Sequence, residues 1–237
     1  MRFRCLPGSG YAGELVQWLA ALSNYFRRRR MARFAGEYAV TAETRILDIG
    51  GTPECWNLLA IRPQVVLLNT LRAKPELGGA AGWVAGDGRA LPFRDQSFDI
   101  VFSNSVIEHV GNAADQRAFA EEVARVGRRY WVQTPNRWFP LEQHLLTPFV
   151  HWLPRSWQRR VVPRLNLWSV LVRVSADRRR FYIEHYLADV RLLSYSDLRI
   201  LFPQASVMRE RWFGLTKSLI AYSRGPLLGD NAARPSR

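Results

Sequence analysis

The feature that most constrains this chain is a regular alternation of short apolar runs with helical segments between positions 45 and 135. The runs are rich in β-branched residues, leucine and phenylalanine, as buried strands are. They predict five strands: Arg45–Ile49, Gln64–Leu68, Trp83–Ala85, Phe98–Asn104 and Tyr130–Gln133. Helices are predicted between them at Glu54–Ala60 and Ala113–Val126. Strands that alternate with helices at this spacing indicate a parallel, doubly wound α/β sheet.

The pattern changes after Pro135 to a stretch rich in Trp, Pro, Arg and Leu, which we interpret as a helical cap over the active site at 136–185. The alternation then resumes with a helix at Ser196–Phe202, for which Ser196 is the expected N-cap. Two further strands, Ala205–Arg209 and Ser218–Tyr222, bring the mostly parallel sheet to seven strands. We therefore expect one domain, divided into an N-terminal helical segment (1–44), a core (45–135), the cap (136–185), a closing helix and strands (186–224) and a tail (225–237).

The N-terminal segment has apolar residues at helical spacing from Gly13 to Phe26, which predicts an amphipathic helix that runs into the basic residues Arg27–Arg30. Two interpretations remain open. The favoured one is a helix that packs over the sheet and ends in solvent, where its arginines interact favourably with the helix dipole. The alternative is a basic amphipathic helix that lies on a membrane surface.

Composition excludes several classes of protein. The 237 residues are 48% hydrophobic and 23% charged, which is typical of a globular domain. Cys5 and Cys55 form no Cys-x-x-Cys pair, so we expect neither a disulfide framework nor a metal site. The apolar runs fall short of the roughly 18 residues of a spanning helix, and Met1–Gly10 has no signal-peptide core. We expect a cytoplasmic protein, with peripheral contact at the inner face of a membrane as an open alternative.

The net charge of +14 is unevenly distributed. Residues 46–154 hold 10 basic and 11 acidic side chains, whereas residues 155–237 hold 16 basic and 6 acidic ones. Such asymmetry favours an anionic partner, namely nucleic acid, a membrane surface or a phosphorylated substrate. However, Lys74 and Lys217 are the two lysines of the chain, so a general preference for arginine codons explains the excess equally well.

A glycine turn follows the first predicted strand in Asp48-Ile49-Gly50-Gly51. In doubly wound folds ligands bind at the carboxyl ends of strands, where glycine lets the backbone approach closely. A Gly-Gly pair by itself also fits an ordinary strand-to-helix turn. The more specific string runs from Asp87 to Asp99, with Leu-Pro-Phe inside it and Ser-Phe-Asp at its end, and continues through Ser103–Val110.

With these motifs, residues 44–135 resemble the class I S-adenosylmethionine-dependent methyltransferases, especially the broad type 11 group. The resemblance implies S-adenosylmethionine as cofactor and a cofactor-binding core at 45–135. It also implies cofactor contacts for Asp48, Gly50 and Gly51 at the amino-acid end, Asn69 at the ribose, Asp87 at the adenine amino group, the amides of Gly88 and Arg89, and Ser103 beside the sulfonium. Two positions depart from the family: later glycines are missing from Gly50–Glu54, and Asn69 stands where an acid is usual. A non-catalytic homologue is therefore the alternative.

The candidate base is His144, which Glu142 would orient, and Glu108-His109 is a second candidate; His151 and His185 are weaker. The apolar stretch Leu145–Pro154, followed by arginines, suits a lipid-linked or phosphorylated acceptor, or peripheral docking on a membrane. We expect a small-molecule, glycan or lipid-linked acceptor that is methylated on oxygen or nitrogen. Methylation of RNA is a competing hypothesis because of the basic flanks. Nucleic acid ranks lower because Ser103-Asn104-Ser105-Val106 lacks the Pro-Pro-aromatic segment of base amino-group methyltransferases.

Overall fold

A computed structural model of the chain describes residues 11–70, 82–164 and 175–224. The predictions for Cys5, for the first ten residues and for the tail from Gly225 lie outside these ranges. The chain divides into two units. The sheet unit comprises Arg33–Phe139 and Asp189–Arg237, and the small unit comprises Met1–Ala32 and Pro140–Ala188.

In chain order the elements are α1 (Tyr11–Glu37), β1 (Arg45–Ile49), α2 (Pro53–Trp56), β2 (Gln64–Asn69), β3 (Gly82–Ala85), β4 (Phe98–Asn104), α3 (Ala113–Val126), β5 (Gly127–Pro135), β6 (Leu141–Glu142), β7 (Thr147–Pro148), α4 (Arg155–Val161), α5 (Ala176–Asp189), α6 (Tyr195–Leu201), β8 (Ser206–Trp212) and β9 (Leu215–Tyr222). Short 3₁₀ turns lie at Ile107–His109 and Val150–Trp152.

The main sheet has seven strands in the order β3-β2-β1-β4-β5-β9-β8. The first five strands in this order are parallel, whereas β9 pairs antiparallel with both β5 and β8. The strand order reverses between β1 and β4, since β2 and β3 follow on one side of β1, whereas β4 and β5 lie on the other. Such a reversal is the switch point at which doubly wound sheets bind ligands. The predicted doubly wound, mostly parallel α/β class is confirmed.

The core of the sheet unit forms where α3 packs against the parallel strands. Phe119, Val123 and Val126 lie on one face of α3 and are fully buried, in one cluster with Leu47 and Val101 of the sheet. The helix begins at a capping box, in which Asn112 and Asp115 satisfy each other's backbone amides. The predicted bounds of α3 are confirmed. They could be predicted because the cap and the apolar spacing both depend on residues that are close in sequence.

The prediction that the first helix ends at its arginines is wrong. Helix α1 continues through Arg27–Arg30 to Glu37, so the basic run lies inside the helix rather than at its negative end. Arg27 to Arg29 are exposed, whereas Arg30 is buried. In the sheet unit, the ring of Phe34 packs edge-on against Phe102, with 4.9 Å between ring centroids. Because an arginine can bury its apolar stem, a run of arginines need not form a wholly exposed face of a helix.

Two short helices also differ from their predictions. Helix α2 ends at Trp56 rather than Ala60, and Pro53 occupies its first turn, where proline is favoured. Helix α6 is capped by Ser194, not by Ser196. The amide of Ser194 donates to Oδ2 of Asp197 at 2.7 Å, and the amide of Asp197 donates to the Ser194 hydroxyl at 3.3 Å. The reciprocal bond requires an acid three residues after the cap, and Asp197 occupies that position relative to Ser194.

Besides α1 up to Ala32, the small unit contains β6, β7, α4 and nearly all of α5. Strands β6 and β7 form a two-residue ladder, in which Glu142 pairs with Thr147. Helix α4 lies within the predicted cap, whereas α5 continues past its predicted end at 185 to Asp189. Residues 165–174 of the cap lie outside the described ranges. Among the helices that the structure describes, none is both long and apolar enough to span a bilayer.

Candidate functional site

The carboxyl ends of β1, β2 and β4 lie level at one edge of the sheet. Ile49 is the register partner of both Leu68 and Ser103. The eight residues predicted to contact a cofactor all belong to the sheet unit. Each lies near the end of β1, β2 or β4, or in the loop that follows β1 or β3: Asp48, Gly50, Gly51, Asn69, Asp87, Gly88, Arg89 and Ser103. The parallel topology therefore gathers the predicted residues along one edge.

Gly50 makes the turn that leaves β1. Its φ of +74° lies in the left-handed region, and its amide donates to the carbonyl of Leu68 at 2.7 Å. A Cβ at this position would lie 2.5 Å from Cγ2 of Val106. Both the backbone conformation and the close contact with the loop after β4 therefore require glycine.

Gly51 lies directly against the carboxylate of Asp48. A Cβ built on Gly51 would come within 1.7 Å of Oδ2 of Asp48. Asp48 is fully buried, and the indole Nε1 of Trp56 donates to its Oδ2 at 2.8 Å. Burial raises the pKa of Asp48 from its ordinary value to about 7, although the indole hydrogen bond opposes this shift.

Two buried oxygens beside this turn are without hydrogen-bond partners. Within the described part of the chain, nothing donates to Oδ1 of Asp48. The same holds there for Oγ of Ser103, a fully buried residue one strand away. Buried polar atoms without partners are rare and unfavourable in native proteins. Oxygens left in this condition next to a glycine turn are what a bound polar ligand would satisfy.

Asn69 is bound to the glycine turn by its side chain. Its Nδ2 donates to the carbonyl of Gly51 at 3.1 Å, and its own backbone carbonyl accepts from the amide of Gly86 at 3.0 Å. A carboxylate has no proton to donate at neutral pH, so the acid that is usual at this position could not make the bond to Gly51. The departure from the family pattern thus coincides with a different hydrogen-bond arrangement of the turn.

Asp87 is held by the side chain of Arg89, a residue for which only a backbone contact was predicted. The guanidinium donates to both oxygens of Asp87, with NH2 at 2.6 Å from Oδ2. Its NH1 also donates to Oδ1 of Asp115 at 2.9 Å, at the start of α3. The hydrogen bonds from Arg89 lower the pKa of Asp87, so this carboxylate is ionised and able to accept further hydrogen bonds at neutral pH.

The backbone amides of Gly88 and Arg89, which were predicted to bind the cofactor, differ in their hydrogen bonding and packing. The amide of Arg89 already donates to Oδ1 of Asp87 at 2.9 Å. Gly88 is buried, and a Cβ there would lie 2.8 Å from the ring of Phe119 and 3.1 Å from Cγ2 of Ile49. Close packing of the loop against α3 and β1 is therefore sufficient to require glycine at position 88.

The predicted pair His144 and Glu142 lies in the small unit. Nδ1 of His144 is 2.6 Å from Oε1 of Glu142, and the amide of Leu145 donates to Oε2 at 2.6 Å. Glu142 is buried, and the ring of Tyr186 lies 6.1 Å from the imidazole, centroid to centroid. The carboxylate therefore orients the imidazole as the spacing suggested, and a role in catalysis stays a prediction.

The alternative pair, Glu108 and His109, follows β4 in the sheet unit. Glu108 is fully buried, and the hydroxyl of Thr134 on β5 donates to its Oε2 at 2.9 Å. The carbonyl of Glu108 accepts from the amide of Arg191 at 2.8 Å. These contacts join the loop after β4 to β5 and to the segment before α6, which indicates a structural role for Glu108.

Comparisons with known proteins add to this geometry. Residues 51–129 match the model of a protein family described as a methyltransferase domain. The chain is 29% identical over 125 residues to the ubiquinone/menaquinone biosynthesis C-methyltransferase UbiE of Dinoroseobacter shibae, a match that covers 50% of each protein. It is 34% identical over 98 residues to the biotin biosynthesis bifunctional protein BioHC of Cellvibrio japonicus, covering 38% of this chain and 20% of that protein. The matches thus span half or less of these relatives' own length.

Among solved structures, the PH0226 protein from Pyrococcus horikoshii OT3 is similar in fold. The TM-score is 0.54 at 13% identity, and the match covers 87% of this chain and 92% of that chain. At this identity the similarity concerns the fold, and it agrees with the seven-stranded sheet described above.

Proposed function

We propose that the chain, whose residues 51–129 match a methyltransferase domain, is a class I S-adenosylmethionine-dependent methyltransferase. It would transfer a methyl group from S-adenosylmethionine to an oxygen or nitrogen of a small-molecule, saccharide or lipid-linked acceptor. The observation that carries this proposal is the pair of unpartnered buried oxygens, Oδ1 of Asp48 and Oγ of Ser103, beside the Gly50-Gly51 turn.

The residues present fit the cofactor of this family. S-adenosylmethionine carries an ammonium group, hydroxyls and an adenine amino group, all of which donate hydrogen bonds. The edge of the sheet offers acceptors in the carboxyl groups of Asp48 and Asp87. The Gly50-Gly51 turn is packed so closely that neither position admits a Cβ. Asp48, Gly50, Gly51, Asp87 and Ser103 are the residues we assign to cofactor binding.

When bound, S-adenosylmethionine supplies an electrophilic methyl group on a sulfonium. Transfer of such a group is an in-line displacement, so the protein contributes mainly by holding donor and acceptor in position. An acceptor hydroxyl or ammonium must also lose a proton. His144 is the group we assign to this step, because Glu142 fixes its Nδ1 and thereby the orientation of the ring.

The Glu142–His144 pair favours an acceptor oxygen or nitrogen, because a hydroxyl or ammonium group needs a general base to remove its proton. A carbon nucleophile that is activated by its own ring depends less on such a base. The name of the Dinoroseobacter relative indicates transfer to carbon in quinone biosynthesis. Transfer to carbon is therefore an outcome that the acceptor experiment must be able to detect.

Cofactor binding is tested first by calorimetric titration with S-adenosylhomocysteine. We expect saturable binding at a stoichiometry of one ligand per chain, and loss of binding in Asp87→Asn. Asp95→Asn is the matched control, because Asp95 also accepts from an arginine, Arg125 at 2.7 Å, but lies outside the glycine turn and the Asp87 loop. No heat and no thermal shift with the unaltered protein would favour the non-catalytic alternative.

The acceptor is then sought with methyl-labelled S-adenosylmethionine. The protein is incubated with separate lipid, glycan, small-molecule and RNA fractions of a bacterial extract, and label transferred to each fraction is counted. We expect transfer to one of the first three fractions. Transfer to RNA would contradict the proposed acceptor class, and chemical analysis of the labelled product would distinguish oxygen, nitrogen and carbon.

A further inference from the structure

The hairpin that joins β8 to β9 has an aromatic residue in a backbone conformation that disfavours it. Trp212 pairs with Leu215, so the chain turns through Phe213 and Gly214. Both residues have positive φ, +46° and +78°, as two-residue type I′ turns require. Asn, Asp or Gly is preferred at the first position because a bulky side chain is strained at positive φ. Phe213 therefore occupies the tip at a cost in stability.

Packing does not compensate for this strain. Phe213 is 89% exposed and Leu215 is 52% exposed. The ring of Phe213 lies 5.4 Å from that of Trp212, centroid to centroid, within the same hairpin. Strained residues are retained when they serve a function, and an exposed aromatic ring suits contact with another surface.

The apolar surface extends to the segment that follows β5. Nδ2 of Asn136 donates to the carbonyl of Thr216 at 2.8 Å, which holds this segment beside the hairpin. Trp138 is 62% exposed. The ring of Phe139 lies 6.1 Å from that of Trp212. The exposed apolar residues Trp138, Phe213 and Leu215, together with the half-buried Trp212, are called the tip surface below.

Basic side chains flank the tip surface. They are Arg137, Arg209, Arg211 and Lys217, and within the described hairpin 206–222 Glu210 is the one acid. The guanidinium of Arg137 lies over the ring of Trp138, 5.6 Å from its centroid, and that of Arg209 lies over Tyr195 at 4.6 Å. Tryptophan is enriched where hydrocarbon meets water, and basic residues are attracted to anionic lipid headgroups.

We propose that the tip surface docks on an anionic lipid bilayer, with Phe213 and Leu215 inserted below the headgroups and the flanking basic residues bound to lipid phosphates. A protruding two-residue tip suits a deformable partner, whereas a specific protein interface takes about 800 Å² from each side. Because β9 begins beside the end of β5, the tip stands at the sheet edge that holds the carboxyl ends of β1 and β4. Docking would bring that edge to the lipid.

The test is sedimentation of the full chain with vesicles of phosphatidylcholine, with or without phosphatidylglycerol, in the absence of cofactor. We expect binding to the vesicles that contain phosphatidylglycerol and weak or no binding to phosphatidylcholine. Phe213→Asn is expected to lower the affinity about tenfold or more, because it removes one inserted aromatic side chain. The same substitution should raise the melting temperature, since Asn-Gly is preferred in this turn.

The matched control is Ile200→Asn. Ile200 is 69% exposed near the end of α6, from which the chain enters β8 at the end opposite the tip. Its vesicle affinity should equal that of the unaltered protein. Failure of the unaltered protein to bind the anionic vesicles, or equal binding by Phe213→Asn, would overturn the proposal. RNA binding that depends on Phe213 would assign the surface to nucleic acid and overturn it as well. None of these outcomes depends on methyl transfer.

Discussion

The side-chain amide of Asn69 donates a hydrogen bond to the carbonyl of Gly51 across 3.1 Å. The bond joins the end of β2 to the glycine turn that leaves β1, next to the buried carboxylate of Asp48. An acid at position 69 would present an oxygen to that carbonyl and repel it. Asn69 is therefore a positioning residue for the turn, in addition to any contact it makes with ligand.

Replacing Asn69 by aspartate is predicted to weaken binding of S-adenosylhomocysteine by about tenfold at neutral pH. One hydrogen bond is lost and two oxygens are placed in contact, which together amount to about 1–2 kcal/mol. Affinity should recover as the pH falls towards about 4, because the introduced carboxyl group can donate a hydrogen bond again once it is protonated. Calorimetry across this pH range measures the effect.

The control for this substitution is Asn57→Asp. Oδ1 of Asn57 accepts from NH1 of Arg62 at 2.9 Å, and a carboxylate keeps that acceptor. Its affinity for S-adenosylhomocysteine should remain unchanged. Tighter binding by Asn69→Asp at neutral pH would show instead that a carboxylate at this position serves the ligand.

Gly51→Ala is predicted to abolish measurable cofactor binding. The new methyl group would lie 1.7 Å from Oδ2 of Asp48, so either the turn or the carboxylate must move. Overpacking of this kind costs about 1–3 kcal/mol in stability. Gly82→Ala is the control, because its methyl group would make an ordinary 3.6 Å contact with Cγ2 of Val66. Equal ligand affinities for the two variants, measured by calorimetry beside their melting temperatures, would contradict the proposed close approach.

Asp48 is predicted to make stability depend on pH. Its pKa is raised from 3.8 to about 7 in the folded state by burial. Between these values the folded protein retains a proton that the unfolded chain has lost. The contribution of Asp48 is therefore least unfavourable at low pH, and it becomes more unfavourable as the pH rises from about 4 through 7, by as much as about 4 kcal/mol.

The measurement is urea unfolding of the unaltered protein and of Asp48→Asn from pH 4 to pH 8. Asn keeps an oxygen for the indole of Trp56 and does not titrate. The difference in unfolding free energy removes the contributions of other groups, such as Asp87 and Glu122, whose pKa values are lowered by Arg89 and Arg125. The variant should gain relative stability with rising pH and level off above 7. A flat difference would mean that Asp48 is ionised throughout.

The sequence was most informative where the signal is local. The bounds of β1, β4 and α3 follow from apolar spacing and caps, and the predicted strands fell into one sheet. The continuation of α1 past its arginines was missed because burial of Arg30 depends on packing that spacing does not encode. The bonds from Asn69 to Gly51 and from Arg89 to Asp115 join segments that are distant in sequence. Strand register brings the first pair together, and the packing of α3 beside the loop after β3 brings the second together. The residue types at the sheet edge could therefore be predicted, whereas their partners could not.

His144→Ala is predicted to lower kcat by about 10²- to 10⁴-fold, the usual contribution of a positioned general base, with little change in KM for S-adenosylmethionine. Glu142→Gln should lower kcat less and shift the pH profile, because Gln keeps the contact with Nδ1 of His144 but removes the charge that stabilises a protonated imidazole. His185→Ala is the control, since His185 is an exposed histidine of the same unit that stacks on Phe181. Turnover of His144→Ala equal to that of the control, with the acceptor identified by label transfer, would remove His144 as the base.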